Sequence, residues 1–431
     1  MFAAAVFVAA AALGSAVPHP NADDVVMPDG ANPHPVRLLR PRSAPLSAMA
    51  QLGRLVFFDR TLSSSGQLAC ASCHSPQHAY GPPNDQPVML GGPALARQGV
   101  RAVPSLMYLE RQPSFSIGPD VSEDDAATPS PLPPRTVAIA VKSAQSTAQS
   151  AQNVVPQGGL FWDGRENTLQ SQALEPLLNP LEMDGGSVAR VAAKLRRAAY
   201  APRLVQLFGP GVFDRANVVV SEALFAVARY QIEERTFHPY SSKYDFWLEG
   251  KARLAPAEAR GLELFNDPSG ADCAACHLDG PTAIDLPPLF TDHQFEALGV
   301  PRNAALVVNR NPNYYDLGIC GPVRTDMKKA TQYCGMFLTP TLRNVATRHA
   351  FFHNGVYHSL RQVLDFYDFR DTRPQRVYAR GKYDDLPAAY RANVDTVDAP
   401  FDRKLGQAPP LTPAQERDII AFLQTLTDGY R

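Results

Sequence analysis

The chain has 431 residues, enough for two or three domains, each with a core of its own. Its 41 basic and 42 acidic residues leave a formal charge of -1, which excludes the basic excess expected of a nucleic-acid-binding protein. With 40 prolines and 28 glycines, the composition predicts many ordered loops between short helices.

In chain order, residues 2–16 (Phe2 to Ala16) come first, small and almost wholly apolar. They end in Gly14-Ser15-Ala16 before Val17-Pro18, which reads as the h-region and cleavage site of a secretory signal peptide lacking its basic n-region. The run is too short to cross a bilayer comfortably. No other stretch is long and apolar enough, so the mature protein is expected in the periplasm with no membrane span. Next comes Gly53, Phe57 and Asp59, a pattern that recurs with the same spacing as Gly261, Phe265 and Asp267. Each copy predicts a short helix running through a Gly/Ser-containing loop into a C-x-x-C-H motif. These are Cys70-Ala71-Ser72-Cys73-His74 and Cys273-Ala274-Ala275-Cys276-His277. Leu254-Ala255-Pro256-Ala257-Glu258 marks the start of the second of these helices, with proline in its first turn. Residues 111–158 stand apart: Pro119 to Pro134 is acidic and then proline-rich, and Ser143 to Gln152 is rich in Ser, Ala and Gln. They read as a long surface excursion, either passive or docking a partner. At the end of the chain, Thr412 as cap, Pro413 and Gln415 predict a capped helix whose apolar stripe is Ile419, Phe422, Leu423 and Leu426, with Gly429 after it.

C-x-x-C-H is the attachment site of a c-type haem: two thiols add to the porphyrin vinyl groups and the histidine reaches the iron. Zinc is the rival, but four-ligand zinc sites pair C-x-x-C units some tens of residues apart. Here the two units lie about 200 residues apart and each carries a histidine. Two covalently bound c-type haems are therefore expected, one to a domain: 45–245 with the insertion 111–158, and 250–431. The duplication predicts a mainly α fold of two cytochrome c-like domains with long loops and little β-structure. Four thiols on haem leave Cys320 and Cys334, which an exported protein would normally pair; two free thiols are the alternative.

The segment Phe161-Trp162-Asp163-Gly164-Arg165, continuing through Gln172, Pro176 and Asn179-Pro180-Leu181-Glu182-Met183, resembles the bacterial dihaem cytochrome c peroxidase and MauG family. A second matching stretch is Thr339-Pro340-Thr341-Leu342-Arg343-Asn344-Val345 followed by Phe352-His353-Asn354-Gly355. The resemblance implies that the haem at Cys70, Cys73 and His74 is peroxidatic. Gln172, Pro176 and Glu182 would line its distal pocket, with Glu182 as the acid–base for peroxide. It implies Trp162 as an electron relay toward the haem at Cys273, Cys276 and His277. It also implies a calcium ion between the haems, held by an asparagine side chain and by carbonyls near Arg348 and Ala350. The asparagine position is Ala102 here, so calcium is left with fewer protein ligands. Relatives are often dimers, which leaves a homodimer open.

Two departures from the family pattern stand out. Peroxidases that need reductive activation have a distal histidine upstream of the stretch corresponding to Arg101-Ala102-Val103-Pro104-Ser105. Between His78 and that stretch this chain has none, so the first haem is expected to be five-coordinate. Where those enzymes have a methionine ligand, 27 residues after Pro340, this chain has Tyr367, as the MauG branch does. A phenolate stabilises oxidised iron more than a thioether. Tyr367 also falls on a helical stripe with Leu360, Val363 and Leu364, and Met327, Met336, His353 and His358 are alternative ligands. The expected function is reduction of hydrogen peroxide, with electrons from a small c-type cytochrome or cupredoxin. The alternatives are a MauG-like oxidase acting on a protein substrate and a non-catalytic dihaem electron carrier.

Overall fold

The computed structural model describes residues 25–42, 44–119 and 154–431. The signal-peptide segment and most of the insertion therefore lie outside the described residues. The fold is mainly α. In chain order its helices are α1 (Ala48–Phe57), α2 (Cys70–Cys73), α3 (Leu169–Leu178), α4 (Val188–Arg197), α5 (Ala201–Phe208) and α6 (Ala216–Glu233). They continue with α7 (Lys243–Leu248), α8 (Pro256–Phe265), α9 (Leu360–Phe369) and α10 (Pro413–Gln424). Short 3-10 turns and loops join them. The described strands form three two-stranded antiparallel ribbons. One pairs Ser116–Pro119 with Val154–Gln157, so the insertion leaves and re-enters the fold through a single β-ribbon.

The repeat read from the sequence is the framework. α1 packs on α6 and α8 packs on α10. In each pair the repeated glycine lies where the backbones meet. A Cβ at Gly53 would stand 1.8 Å from the Ala226 carbonyl oxygen, and one at Gly261 would stand 2.0 Å from that of Asp418. Phe57 and Phe265, one turn further on, are fully buried. Helix starts follow their local chemistry: the Thr412 hydroxyl accepts the Gln415 N–H while the Gln415 side chain accepts the Thr412 N–H. Ile419, Phe422, Leu423 and Leu426 are buried as their spacing predicts.

Two large hydrophobic cores result. The first is built from Leu52 through Tyr240, joined by Leu289. The second runs from Tyr244 through Leu426 and also takes in Val26 and Leu38. Residues before α1 therefore pack into the far core, which the sequence did not indicate; Arg40 secures them by a paired contact with Glu249. The cores are locked together by Arg343, whose guanidinium pairs with Asp245 at 2.7 Å, both side chains being wholly buried. The same guanidinium lies 5.0 Å from the ring centres of Tyr108 and Tyr240 in the first core.

Candidate functional site

Both C-x-x-C-H motifs present the same local geometry. The His74 N–H bonds the Cys70 carbonyl at 2.9 Å, and the His277 N–H bonds the Cys273 carbonyl at 3.0 Å, winding each motif into a tight turn. Nδ1 of His74 lies 3.1 Å from the Tyr80 carbonyl oxygen, and Nδ1 of His277 lies 2.9 Å from that of Phe290. A carbonyl only accepts, so Nδ1 carries the proton and Nε2 keeps its lone pair for a metal. Burial lowers both imidazoles to about 4, so they stay neutral. Cys70, Cys73, Cys273 and Cys276 are half-buried and free of disulfides. Burial pushes the Cys70 thiol up to about 11 and those of Cys73 and Cys273 to about 12. Among the described residues no group of three or more His, Cys, Asp or Glu could hold a metal ion by itself. The arrangement fits haem attachment and does not fit a zinc cluster.

Around the first motif, α3 supplies Gln172, which is buried, and Pro176, set inside the helix. Proline has no N–H, so the Gln172 carbonyl loses its partner one turn on. After α3 the chain turns back, and Asn179 donates through its side-chain amide to Glu182 at 2.7 Å. The Gly92 N–H bonds the Glu182 carbonyl at 2.8 Å. At Gly91 a Cβ would stand 2.4 Å from that same oxygen, so this close approach requires glycine. Glu182 is an exposed residue whose carboxyl is crowded by neighbouring protein atoms at the turn after α3. Burial raises this carboxyl to about 6, against the lowering pull of Arg165 and of the Asn179 bond. Its charge also helps keep the Cys73 thiol protonated.

On the wall of the cavity that His277 lines, Trp162 donates its indole N–H to the Ala102 carbonyl at 2.8 Å, and its own carbonyl accepts the Leu338 N–H at 3.0 Å. The next residue, Asp163, is fully buried and pairs with Arg101 at 2.7 Å and Arg165 at 2.8 Å. Arg101 also pairs with Asp316 at 2.6 Å, which ties the segment to the second half of the chain. The indole is thus fixed from both sides.

Around the second motif, α9 brings Leu360, Val363, Leu364 and Tyr367 to the wall of the cavity that His277 lines. Tyr367 stacks on Phe401, ring centres 5.5 Å apart, and its hydroxyl makes no hydrogen bond among the described residues. Burial raises the phenol above its ordinary value, with Cys276 and Cys273 as the next contributors, so the ring lies near both thiols. Of the alternative ligands, Met327 and Met336 pack in a separate cluster with Ile319 and Tyr333, and His358 is exposed. His353 does line the cavity, but lies flat against Phe337 with ring centres 3.6 Å apart. Cys320 and Cys334 are disulfide-bonded.

One largely apolar cavity of about 490 Å³, inside the ~300–1,000 Å³ range of cofactor sites, extends from Gln172 and Trp162 to His277 and Tyr367. The thiols, the oriented imidazoles and this cavity fit haem. Calcium is different. Ala102 has no side-chain oxygen, its carbonyl already binds Trp162, and the Ala350 carbonyl accepts from the Arg348 guanidinium at 3.4 Å. The residues present do not fit the ion that the family resemblance implied. Arg348 lines the cavity, and the sequence pattern pointed only to its backbone; its side chain is the functional group that was missed.

Two attachment turns of the same local geometry, the second of them lining a largely apolar cavity that reaches Gln172 and Trp162, define an oxidoreductase with two c-type haems. The family described as di-haem cytochrome c peroxidase matches residues 47–253. MauG, the methylamine utilization protein of Paracoccus denitrificans, is 30% identical over 388 residues, covering 88% of this chain and 89% of that one. The cytochrome c551 peroxidase of Nitrosomonas europaea is 27% identical, covering 77% of this chain and 75% of that one. The crystal structure of the diheme peroxidase BthA from Burkholderia thailandensis superposes with a TM-score of 0.77 at 35% identity, over 90% of this chain and 87% of that one. The chain belongs to the di-haem cytochrome c peroxidase and MauG family.

Proposed function

We propose that this protein consumes hydrogen peroxide in the periplasm at the haem of the first core, and that electrons arrive through the haem of the second. In this reading each core is a haem domain, 45–245 and 250–431. The observation that carries it is the turn after α3, which holds the Glu182 carboxyl on the Asn179 amide at 2.7 Å and the Glu182 carbonyl on the Gly92 N–H at 2.8 Å, with Gln172 buried on α3. When bound, haem supplies the redox chemistry and the iron that peroxide meets. The residues of the chain do the rest. His74, fixed through Tyr80, presents Nε2, and the two thiols of each motif hold the porphyrin. Glu182 takes the proton from one peroxide oxygen and returns it to the other, which leaves as water. Gln172, whose side chain makes no hydrogen bond among the described residues, orients the bound oxygen, and Pro176 removes a competing N–H from the pocket wall. Trp162 relays electrons between the two haems. Two electrons and two protons then convert one peroxide into two waters.

A small c-type cytochrome or cupredoxin supplies those electrons. The second reading, MauG-like oxidation of a protein substrate, is favoured by one observation: the Tyr367 hydroxyl is unpartnered beside the second motif. A relative named as a cytochrome c551 peroxidase and another named MauG give each reading a counterpart.

The test is addition of peroxide to the fully oxidised protein, followed by rapid absorption spectroscopy. Reaction without prior reduction is expected, because no histidine lies between His78 and Arg101. Multiple turnovers with a reduced carrier support the peroxidase. A long-lived two-equivalent oxidised state that such a carrier does not discharge supports the MauG-like reading. No reaction in any redox state leaves a simple electron carrier.

A further inference from the structure

Arg348, half-buried at the cavity wall, stands out among the cations near the site. Among the described residues it has no carboxylate partner, and burial alone lowers its guanidinium to about 10. Arg101 and Arg343 are each matched to aspartates. One guanidinium nitrogen of Arg348 reaches two main-chain carbonyls, Val103 at 2.9 Å and Ala350 at 3.4 Å. The first oxygen lies three residues before Leu106 of the first core, and the second lies next to Phe351 of the second. A Cβ at Gly81, whose carbonyl accepts the Ser75 N–H at 2.9 Å, would stand 3.5 Å from this guanidinium, so it sits next to the first attachment turn.

The neighbouring backbone is committed as well. The Ala102 carbonyl holds the Trp162 indole, and the Ala102 N–H bonds the His353 carbonyl at 2.7 Å. Calcium collects about six to eight oxygens. Here three backbone oxygens, those of Ala102, Val103 and Ala350, already face N–H donors, position 102 contributes a methyl group, and a fixed positive charge occupies the spot.

We propose that Arg348 is the resident cation of this seam, tying the carbonyls of the two cores together where relatives use calcium, so that the holoprotein is calcium-independent. A guanidinium suits the task because its donors are planar and it keeps its charge at every working pH. By fixing Val103 it also steadies Ala102, and through it the Trp162 indole.

The test begins with the unaltered holoprotein, passed through a chelating resin and analysed for bound metal. Calcium well below one ion per chain is expected, with no change in absorption spectrum or thermal midpoint on adding EGTA or calcium. One tightly held calcium per chain, or a spectrum that changes on chelation, overturns the proposal. The paired substitution Ala102→Asn/Arg348→Ala restores a side-chain oxygen and clears the charge. It should lower the thermal midpoint by several degrees, with calcium restoring it and EGTA removing the gain. If that variant equals the parent in midpoint and spectrum without calcium, the guanidinium does not do the work of an ion. The measurement on the parent protein decides the question even if the variant does not fold.

Discussion

The two haem-binding turns are alike in all that attachment requires and unlike in what surrounds them. Each follows a helix that crosses another at a glycine, ends on a buried phenylalanine, and presents an imidazole whose Nδ1 is tied to a carbonyl. Beyond that shell they diverge. On the side of the first turn is the exposed Glu182 carboxyl, whose charge acts on Cys73; beside Cys273 and Cys276 lies a phenol stacked on Phe401. The shared features fit covalent haem binding, and under the proposed function the differences would divide the labour: proton handling at the first turn, control of the iron's oxidation state at the second.

The largest effect should come from removing one attachment. Cys70→Ala/Cys73→Ala and Cys273→Ala/Cys276→Ala should each leave about half the covalent haem, measured by pyridine haemochrome. The first pair should abolish reaction with peroxide, and the second only sustained turnover. Identical losses from both would dissolve the proposed division.

Next in size, Glu182→Gln should reduce peroxide turnover about 10²–10⁴-fold, the range for removing a positioned acid–base group, with haem content unchanged. Because burial raises this carboxyl to about 6, its proton-accepting form is lost as pH falls through that value. The parent rate should therefore decline below about pH 6, and the Glu182→Gln variant should lack that inflection. A parent profile that stays flat through that value would remove Glu182 from the chemistry.

A smaller and more local change is expected of Tyr367→Phe. The spectrum of the second haem should shift and its potential should rise, while binding of a small anion at the first haem stays as before. An unchanged spectrum would return Tyr367 to the role of core packing.

The smallest effects test the shared scaffold. Gly53→Ala and Gly261→Ala should each cost about 1–3 kcal/mol, as overpacking does, because each Cβ would meet a carbonyl oxygen at about 2 Å. Thermal unfolding that responds to only one of them would mean the two helix crossings are not equivalent.

Short-range features were legible in the chain. The attachment motifs, the repeat upstream of each, the capped helix at Thr412 and the apolar stripe from Leu360 to Tyr367 all depend on spacing within one or two turns. Covalent attachment and helix capping need nothing further, so sequence alone determined that the protein carries two haems on a mainly helical scaffold. Tertiary structure decided the rest. Val26 and Leu38 pack in the second core, Trp162 is held through Ala102, and Arg348 reaches across to Val103. Glu182 acquires its raised pKa only in the folded chain. The partners of Val26, Leu38, Trp162 and Arg348 lie tens to hundreds of positions away, and no local pattern records which distant groups a side chain will meet.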